Sequence, residues 1–281
     1  MNKSIQLALS AMLFYGLLDI VYKRTATRGI QAYQFMALQT CFFLPGILLY
    51  SYFSQSLTIG IPFLWGMSAG VFSLIGLIHF SNSLTSGAVS IVVPVFRLSF
   101  IVTSLLAVIF LGEHLSLLKI GSFVLSIVAI WLLLGGGAVD TRITKKALGE
   151  VLIATAMMGC VSFIYKLGTL AGGSPATVIT GQASLFFPLA IGLAIYRDKG
   201  FKLPVHGYKF GAAAGVLLLG ALTFLIAGLE LGPASTLVPI AQMSFIITAC
   251  FGIIFLKEKL NIRKTVGFSC AILALTGLAL S

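Results

Sequence analysis

The residue whose chemistry departs most from its surroundings is Arg97, a single arginine in the apolar stretch 92–101. Its guanidinium group can bind a carboxylate or a phosphate through two parallel hydrogen bonds. In a membrane-spanning helix, which the apolar neighbours indicate, Arg97 would lie ~15 Å deep, near the centre of a ~30 Å hydrocarbon core. A charge at that depth costs roughly 3 to more than 10 kcal/mol unless it meets water or a partner. Three alternatives follow: Arg97 binds an anionic or zwitterionic substrate in a central cavity, it forms a structural salt bridge with Asp19, or its side chain extends to the membrane surface. Pro94, three residues earlier, has no amide hydrogen and is expected to open the helix locally.

Three glutamines are the other candidate substrate-binding residues. Gln242 occupies in the second half of the chain the place that Arg97 has in the first half, each three residues after a proline. Gln39 and Gln182 also occupy matching places in the two halves, each ~10 Å along a predicted helix. All three amides are candidates to line the same cavity. For Gln39 and Gln182 the alternative is hydrogen bonding between neighbouring helices.

Asp19 and His79 are the candidate ion-coupling residues. Asp19 lies near the end of the first predicted helix, four residues before Lys23, so a local ion pair at the membrane surface is the simple interpretation. The functional alternative is that Asp19 takes up and releases a proton, with Arg97 as its competing partner. His79 lies near the same membrane face and changes charge close to neutral pH, so it could join a proton relay with Asp19. A histidine at the membrane surface is the alternative.

The sequence offers no motif for catalysis. His, Cys, Asp and Glu residues do not cluster with metal-ligand spacing, and no glycine-rich phosphate loop follows a strand. The four cysteines lie in apolar segments, where packing thiols are the expected interpretation. We therefore expect no metal, no cofactor and no enzymatic activity.

The composition defines an all-α integral membrane protein. Hydrophobic residues make up 59% and charged residues 9% of the 281 positions, and apolar runs of membrane-spanning length recur along the chain. The net charge of +11 comes from basic residues in short connectors, where they meet lipid headgroups, so nucleic acid is not an expected partner. Ten transmembrane helices are predicted, near 4–22, 33–53, 61–81, 87–111, 116–135, 148–170, 175–196, 208–229, 232–256 and 261–281.

The two halves of the chain repeat one another. The segment 97–116 aligns with 242–261 at an offset of 145 without a gap, and near the start of each half the offset becomes 143. Five helices per half is an odd number, so the halves enter the membrane from opposite sides. The predicted domains are therefore an inverted five-helix repeat of residues 1–138 and a second one of residues 139–281, an architecture typical of alternating access.

Several further residues recur at these offsets. Gly66-x-x-x-Gly70 aligns with a second glycine pair at 211 and 215, a spacing that lets two helices approach closely. Glu113 aligns with Glu258, and both are expected to fix tight turns. Ser116 and its counterpart at 261, an asparagine, are the predicted N-caps of the helices that follow.

Basic residues are distributed unequally between the two sides of the membrane. The odd-numbered connectors hold most of the lysines and arginines, whereas the other side has only Lys3, Lys119 and Lys166. Since basic connectors stay in the cytoplasm, this count predicts a multi-pass protein of the plasma (inner) membrane with both termini outside.

The repeated segments end in the similar motifs LGEHLS at 111–116 and LKEKLN at 256–261. These motifs, the ten helices and the five-plus-five repeat resemble the EamA-type branch of the drug/metabolite transporter superfamily over essentially the whole chain. The resemblance implies transport of a substrate from a wide class that includes amino acids, sugars, nucleotide sugars, cations and drugs. It also implies cytoplasmic termini, in contrast to the charge count.

The function expected from these features is secondary active transport of a small polar metabolite by alternating access. The substrate would be anionic or zwitterionic, such as an amino acid, and the partners would be this molecule and the lipid bilayer. A translocator of a lipid-linked or amphiphilic substrate, with Arg97 binding its phosphate, is one alternative. A membrane scaffold without transport activity is the other.

Overall fold

The computed structural model describes residues 2–26, 28–86, 89–134, 144–199, 207–255 and 262–281. These residues form twelve α-helices: α1 Lys3–Ala26, α2 Ala32–Ser54, α3 Ile61–Ser86, α4 Val89–Arg97, α5 Ser99–Leu111, α6 Leu117–Leu134, α7 Lys145–Leu170, α8 Pro175–Asp198, α9 Tyr208–Leu231, α10 Ala234–Gln242, α11 Phe245–Phe255 and α12 Ile262–Leu280. Among the described residues, nine helical segments are long and apolar enough to cross a membrane, and the shorter apolar segment 117–133 adds a tenth. The predicted all-α membrane fold of ten spans is confirmed. The predicted boundary between the domains, at 138 and 139, lies outside the described residues.

The fourth and ninth spans are each divided into two helices, whereas the sequence predicted one helix for each, with a local opening at Pro94 in the fourth. The fourth consists of α4 and α5, which meet at Leu98, and the ninth consists of α10 and α11. A proline lies inside α4 at Pro94 and inside α10 at Pro239. Proline has no amide hydrogen and its ring collides with the carbonyl one turn earlier, so the helix bends or breaks there. Both interruptions fall four or five residues after the proline, in the interior of the bundle.

Helix packing follows the internal repeat. Helix α1 packs against α9 and α10, and its counterpart α7 packs against α3, α4 and α5. Helix α2 packs against α9 as α8 packs against α3, while α6 and α12 pack against each other. The two halves are therefore interleaved, so that each span of one half finds most of its neighbours in the other.

Glycines permit the closest of these approaches, as their spacing predicts. A Cβ added at Gly70 of α3 would lie 2.6 Å from the backbone oxygen of Gln182 in α8. At the repeat-equivalent place, a Cβ on Gly215 of α9 would lie 3.1 Å from the backbone oxygen of Gln39 in α2. Both distances are shorter than ordinary van der Waals contact, so a larger residue would force the helices apart.

The spans run back and forth across the bundle, which gives it two ends. The terminal face holds the start of α1, the end of α12, and the connectors that join α2 to α3, α5 to α6, α7 to α8 and α9 to α10. The opposite face holds the end of α1 and the start of α2, together with the ends of α3, α6, α8 and α11. The interruptions of the fourth and ninth spans lie between these two faces, close to the charged side chains described below.

Candidate functional site

The Arg97 guanidinium group forms an ion pair with the Asp19 carboxylate. Arg97 ends α4, and its NH2 nitrogen lies 2.5 Å from Oδ2 of Asp19 in α1. The side chains are 16% and 20% exposed, so neither is sealed completely. Arg97 lies eight residues into its span, ~12 Å along the helix by its rise per residue. The salt bridge that was the structural alternative for Arg97 is therefore present, and Asp19 is its partner.

Two hydroxyl groups from the ninth span complete this centre. Ser244 lies in the interruption between α10 and α11, and its hydroxyl accepts a hydrogen bond from Arg97 NH1 and donates one to Asp19 Oδ2, each at 3.1 Å. The hydroxyl of Thr248 lies 3.5 Å from the same carboxylate oxygen and 3.3 Å from the backbone oxygen of Gly16. The first, fourth and ninth spans thus converge on one charged centre, and the two interruptions are what bring Arg97 and Ser244 together.

The charged centre has no charged counterpart in the other half of the repeat. At the offset of 143, Asp19 corresponds to Ser162, and at 145, Arg97 corresponds to Gln242. Ser162 is buried, and Gln242 is half-buried at the end of α10. The geometry around the centre is nevertheless repeated, since Thr103 donates a hydrogen bond to the backbone oxygen of Gly159 at 2.9 Å. The repeat therefore contains two similar arrangements of helices, and only the one around Asp19 and Arg97 carries the charged pair.

Gln39 and Gln182 take part in equivalent hydrogen bonds between helices. Tyr22 donates to Gln39 Oε1 at 3.0 Å, and Tyr165 donates to Gln182 Oε1 at 2.7 Å. The Gln39 amide nitrogen also donates to the backbone oxygen of Ala214 at 3.4 Å, while that of Gln182 donates to a serine hydroxyl in α3. Gln39 is buried and Gln182 is half-buried. The structure thus shows the helix-to-helix bonding that was their alternative role.

His79 has an acidic partner that the sequence interpretation did not identify. Its Nδ1 lies 2.6 Å from Oε2 of Glu150 in α7, and the two side chains are 30% and 17% exposed. Both residues lie on the part of α3 and α7 that is nearer the opposite face. The structure therefore gives His79 an acidic partner in α7, and a proton relay from His79 to Asp19 stays a prediction.

The connector between α5 and α6 contains Glu113 and Ser116. The Ser116 hydroxyl accepts a hydrogen bond from the backbone N–H of Lys119 at 3.2 Å, which confirms the predicted N-cap. The Glu113 carboxylate accepts the backbone N–H groups of Ala234 and Ser235 at 2.8 Å each. Glu113 therefore holds a different span and does more than fix its own turn. Glu258 and Asn261, the predicted counterparts, lie outside the described residues.

Sequence reasoning missed Ser244, Thr248 and Glu150 as members of these sites. The first two occur at the repeat offset from Ser99 and Thr103, so the repeat itself contained a signal for them. Glu150 carried no such signal, since its counterpart at position 7 is a leucine. Among the described residues, no group of three or more His, Cys, Asp or Glu side chains could hold a metal ion, and the four cysteines are free.

The fold and the site define a multi-pass integral membrane protein with a charged centre where three spans meet. The model of the EamA-like transporter family matches residues 2–135 and 146–280. The chain belongs to this family, and it is a membrane transporter of the drug/metabolite transporter superfamily.

Relatives of this chain carry transporter names. It is 24% identical over 209 residues to an uncharacterized transporter of Archaeoglobus fulgidus, a match that covers 74% of this chain and 73% of the relative. It is 28% identical over 118 residues to an uncharacterized transporter in the cobO 3' region of a Sinorhizobium species, covering 41% of this chain and 84% of the relative. A protein of known crystal structure shares the fold with a TM-score of 0.84, at 14% identity, over 99% of this chain and 96% of that one.

Proposed function

We propose that this protein is a secondary active transporter of a small anionic or zwitterionic metabolite, such as an amino acid, and that it works by alternating access. The observation that carries the proposal is the ion pair of Arg97 with Asp19 at the junction of two interrupted spans. Transporters of several folds place substrate and ion sites where helices are broken near the bilayer midplane. Charged side chains inside a membrane are energetically costly, so an ion pair at this depth supports the assignment of a functional site.

Arg97 binds the carboxylate or phosphate of the substrate in this scheme. Its guanidinium group donates one hydrogen bond to Asp19 from NH2 and one to Ser244 from NH1. These are the two terminal nitrogens that would bind an anion in a bidentate manner. A substrate carboxylate therefore competes with Asp19 for the same donors. Gln242, which ends the helix leading to Ser244, is the proposed neutral partner for the rest of the substrate. Gln39 and Gln182 set the spacing of the surrounding helices.

Asp19 couples this binding to a proton. When Asp19 is ionised it holds Arg97, and when it is protonated its charge no longer competes with an anionic substrate. One proton on Asp19 and one substrate on Arg97 would then occupy the centre together. His79, paired with Glu150, is the second proposed coupling residue, because the pair lies within the membrane span and can bind or release a proton.

A thermal-shift screen of purified protein tests the substrate assignment. Ligands that bind the folded state raise its unfolding temperature, by an amount that grows with the ratio of ligand concentration to Kd. Amino acids, organic anions, phosphate esters and cations would be compared on wild type, Arg97→Gln and the exposed control Arg28→Gln. We expect an anionic or zwitterionic compound to stabilise wild type and the control but not Arg97→Gln. Stabilisation by lipid-linked phosphates alone would favour the translocator of amphiphilic substrates, and stabilisation of Arg97→Gln equal to wild type would refute the assignment.

We also propose that the opposite face is cytoplasmic in the plasma (inner) membrane and that both termini are outside. Lys119 and Lys166 were two of the three basic residues counted on the terminal face, and both are buried with their ammonium groups bonded to protein oxygens. Neither can meet lipid headgroups, so the bias of surface charge is larger than the sequence count indicated. A C-terminal fluorescent fusion that matures only in the cytoplasm should stay dark, and a bright fusion would reverse the orientation.

A further inference from the structure

Three charged side chains meet on the connector between α9 and α10, at the terminal face. We call Glu113, Lys119 and Lys166 the terminal clamp, and the segment 229–235 is the connector that it holds. The clamp residues come from the α5–α6 connector, α6 and α7, so three separate elements are tied to one short segment. None of the three takes part in the centre around Arg97.

Lys166 holds the end of α9. Its Nζ donates hydrogen bonds to the backbone oxygens of Leu229 at 2.7 Å and Gly232 at 2.8 Å. These carbonyl groups belong to the last turn of α9 and to the residue after it, where helical acceptors have no intrahelical donor and the dipole is negative. The lysine is only 8% exposed. A buried ammonium group is costly unless it is fully bonded, so its position is specified by these carbonyl groups.

Glu113 and Lys119 hold the start of α10. The Glu113 carboxylate accepts the backbone N–H groups of Ala234 and Ser235, which lie in the first turn of α10 and have no helical acceptor. Lys119 is 5% exposed, and its Nζ donates to the Ser235 hydroxyl and to the backbone oxygen of His114, each at 3.1 Å. The carboxylate thus caps the backbone of the first turn of α10, and the ammonium group binds the Ser235 side chain in that same turn.

The clamp sets the position of α10, and α10 leads directly to Ser244. All residues from Ala234 to Ala241 are buried, so the first part of the ninth span fills the bundle at the terminal face. A movement of α10 away from its neighbours would break the bonds that join the clamp to the end of α9 and the start of α10.

Each of the three clamp residues has a counterpart of the same type at a repeat offset. Lys166 corresponds to Lys23 at 143, Lys119 to Lys264 at 145, and Glu113 to Glu258 at 145. Of these counterparts, Glu258 lies outside the described residues. Because the repeat is inverted, the sequence predicts a second set of the same charged residues near the opposite face.

We propose that the terminal clamp is the lock that keeps the terminal face closed in the state described, and that its release is the step that opens the Arg97 centre to that side. The proposal rests on the alternating-access function proposed for the chain. It assigns Glu113, Lys119 and Lys166 a positioning role: they bind no substrate, and they set the balance between closed and open protein.

A buried reporter cysteine measures this balance without any substrate. Thr236 directly follows the segment 229–235 that the clamp holds. It is 4% exposed, and its hydroxyl has no hydrogen-bond partner among the described residues. Thr236→Cys, in a background with the four native cysteines replaced by serine, should be alkylated slowly by a polar maleimide in detergent. Lys166→Met and Glu113→Gln should each raise that rate at least about tenfold, because each removes bonds to a charged group.

Two controls separate clamp release from general loosening. Lys3→Met removes an exposed lysine at the same face and should leave the rate within about twofold of the parent, as expected for a surface charge. Thr40→Cys is a matched reporter in α2, since Thr40 is 3% exposed and its hydroxyl also has no partner among the described residues. Its rate should not respond to the clamp variants.

The outcomes distinguish this proposal from the transport function. If both clamp variants are folded and Thr236→Cys is alkylated in each at a rate within twofold of the parent, the clamp proposal is overturned. The proposed transport function would not be affected by that result. An equal increase at the Thr40→Cys reporter would overturn the clamp proposal as well, because the effect would then be global. A selective increase supports the clamp, and it does so even if reconstituted wild type shows no flux.

Discussion

The ion pair of Arg97 with Asp19 makes a quantitative prediction for stability. Both side chains are at least four-fifths buried and lie 2.5 Å apart, so the loss of one leaves the other charge uncompensated inside the bundle. Removing one partner of a buried pair costs about 3–5 kcal/mol, whereas replacing both by neutral groups is often close to neutral. We therefore expect Arg97→Gln and Asp19→Asn each to lower the free energy of unfolding by about 3 kcal/mol. The double variant should lose less than either single variant.

A double-mutant cycle on the purified protein tests this expectation. The free energy of unfolding would be measured by denaturant titration in mixed micelles for wild type, both single variants and the double variant. Arg28→Gln, which removes an exposed arginine near the Phe210 ring, is the matched control and should change stability by less than about 1 kcal/mol. Additive losses in the double variant would show that the two charges are not coupled and would refute the buried-pair argument.

Further predictions concern packing and coupling. Gly70→Ala places a Cβ 2.6 Å from the backbone oxygen of Gln182, so thermal unfolding in detergent should show a loss of about 1–3 kcal/mol. Gly121→Ala, where nothing lies within 4 Å, should be neutral or slightly stabilising, and an equal loss there would contradict the packing explanation. Glu150→Gln and His79→Gln should each reduce accumulation driven by a proton gradient while leaving substrate exchange intact. Loss of exchange in both would show a structural role instead.

Much of the fold was predictable because a membrane imposes strong rules on sequence. Apolar runs of spanning length indicated the ten spans, and the matched residues of the two halves predicted an inverted repeat without showing how the halves interleave. The small-residue spacing predicted a close helix approach at Gly70, but not that α8 would be the partner. Arg97 and Asp19 were recognisable because a charge is rare in such segments, and each was named as a partner of the other.

The remaining features depend on contacts that sequence position alone does not specify. A local opening at Pro94 was expected, but the division of the fourth and ninth spans into two helices each was not, since a proline can bend a helix without ending it. The partner of His79 was missed because Glu150 lies 71 residues away and has no repeat counterpart. Lys166 was counted as a surface charge, although it lies inside the bundle on carbonyl groups of another span. The errors on His79 and Lys166 concern which side of a helix faces protein.

The most direct test of the central claim is substrate flux in liposomes. Wild type, Arg97→Gln and Arg28→Gln would be reconstituted in equal amounts, and exchange of labelled amino acids and organic anions would be followed across the membrane. The proposed function predicts exchange of an anionic or zwitterionic compound by wild type and Arg28→Gln, and a loss of at least about tenfold in Arg97→Gln, since a bond between two charged groups is removed. An exchange rate in Arg97→Gln equal to that of wild type would contradict the assignment of the charged centre as the substrate site.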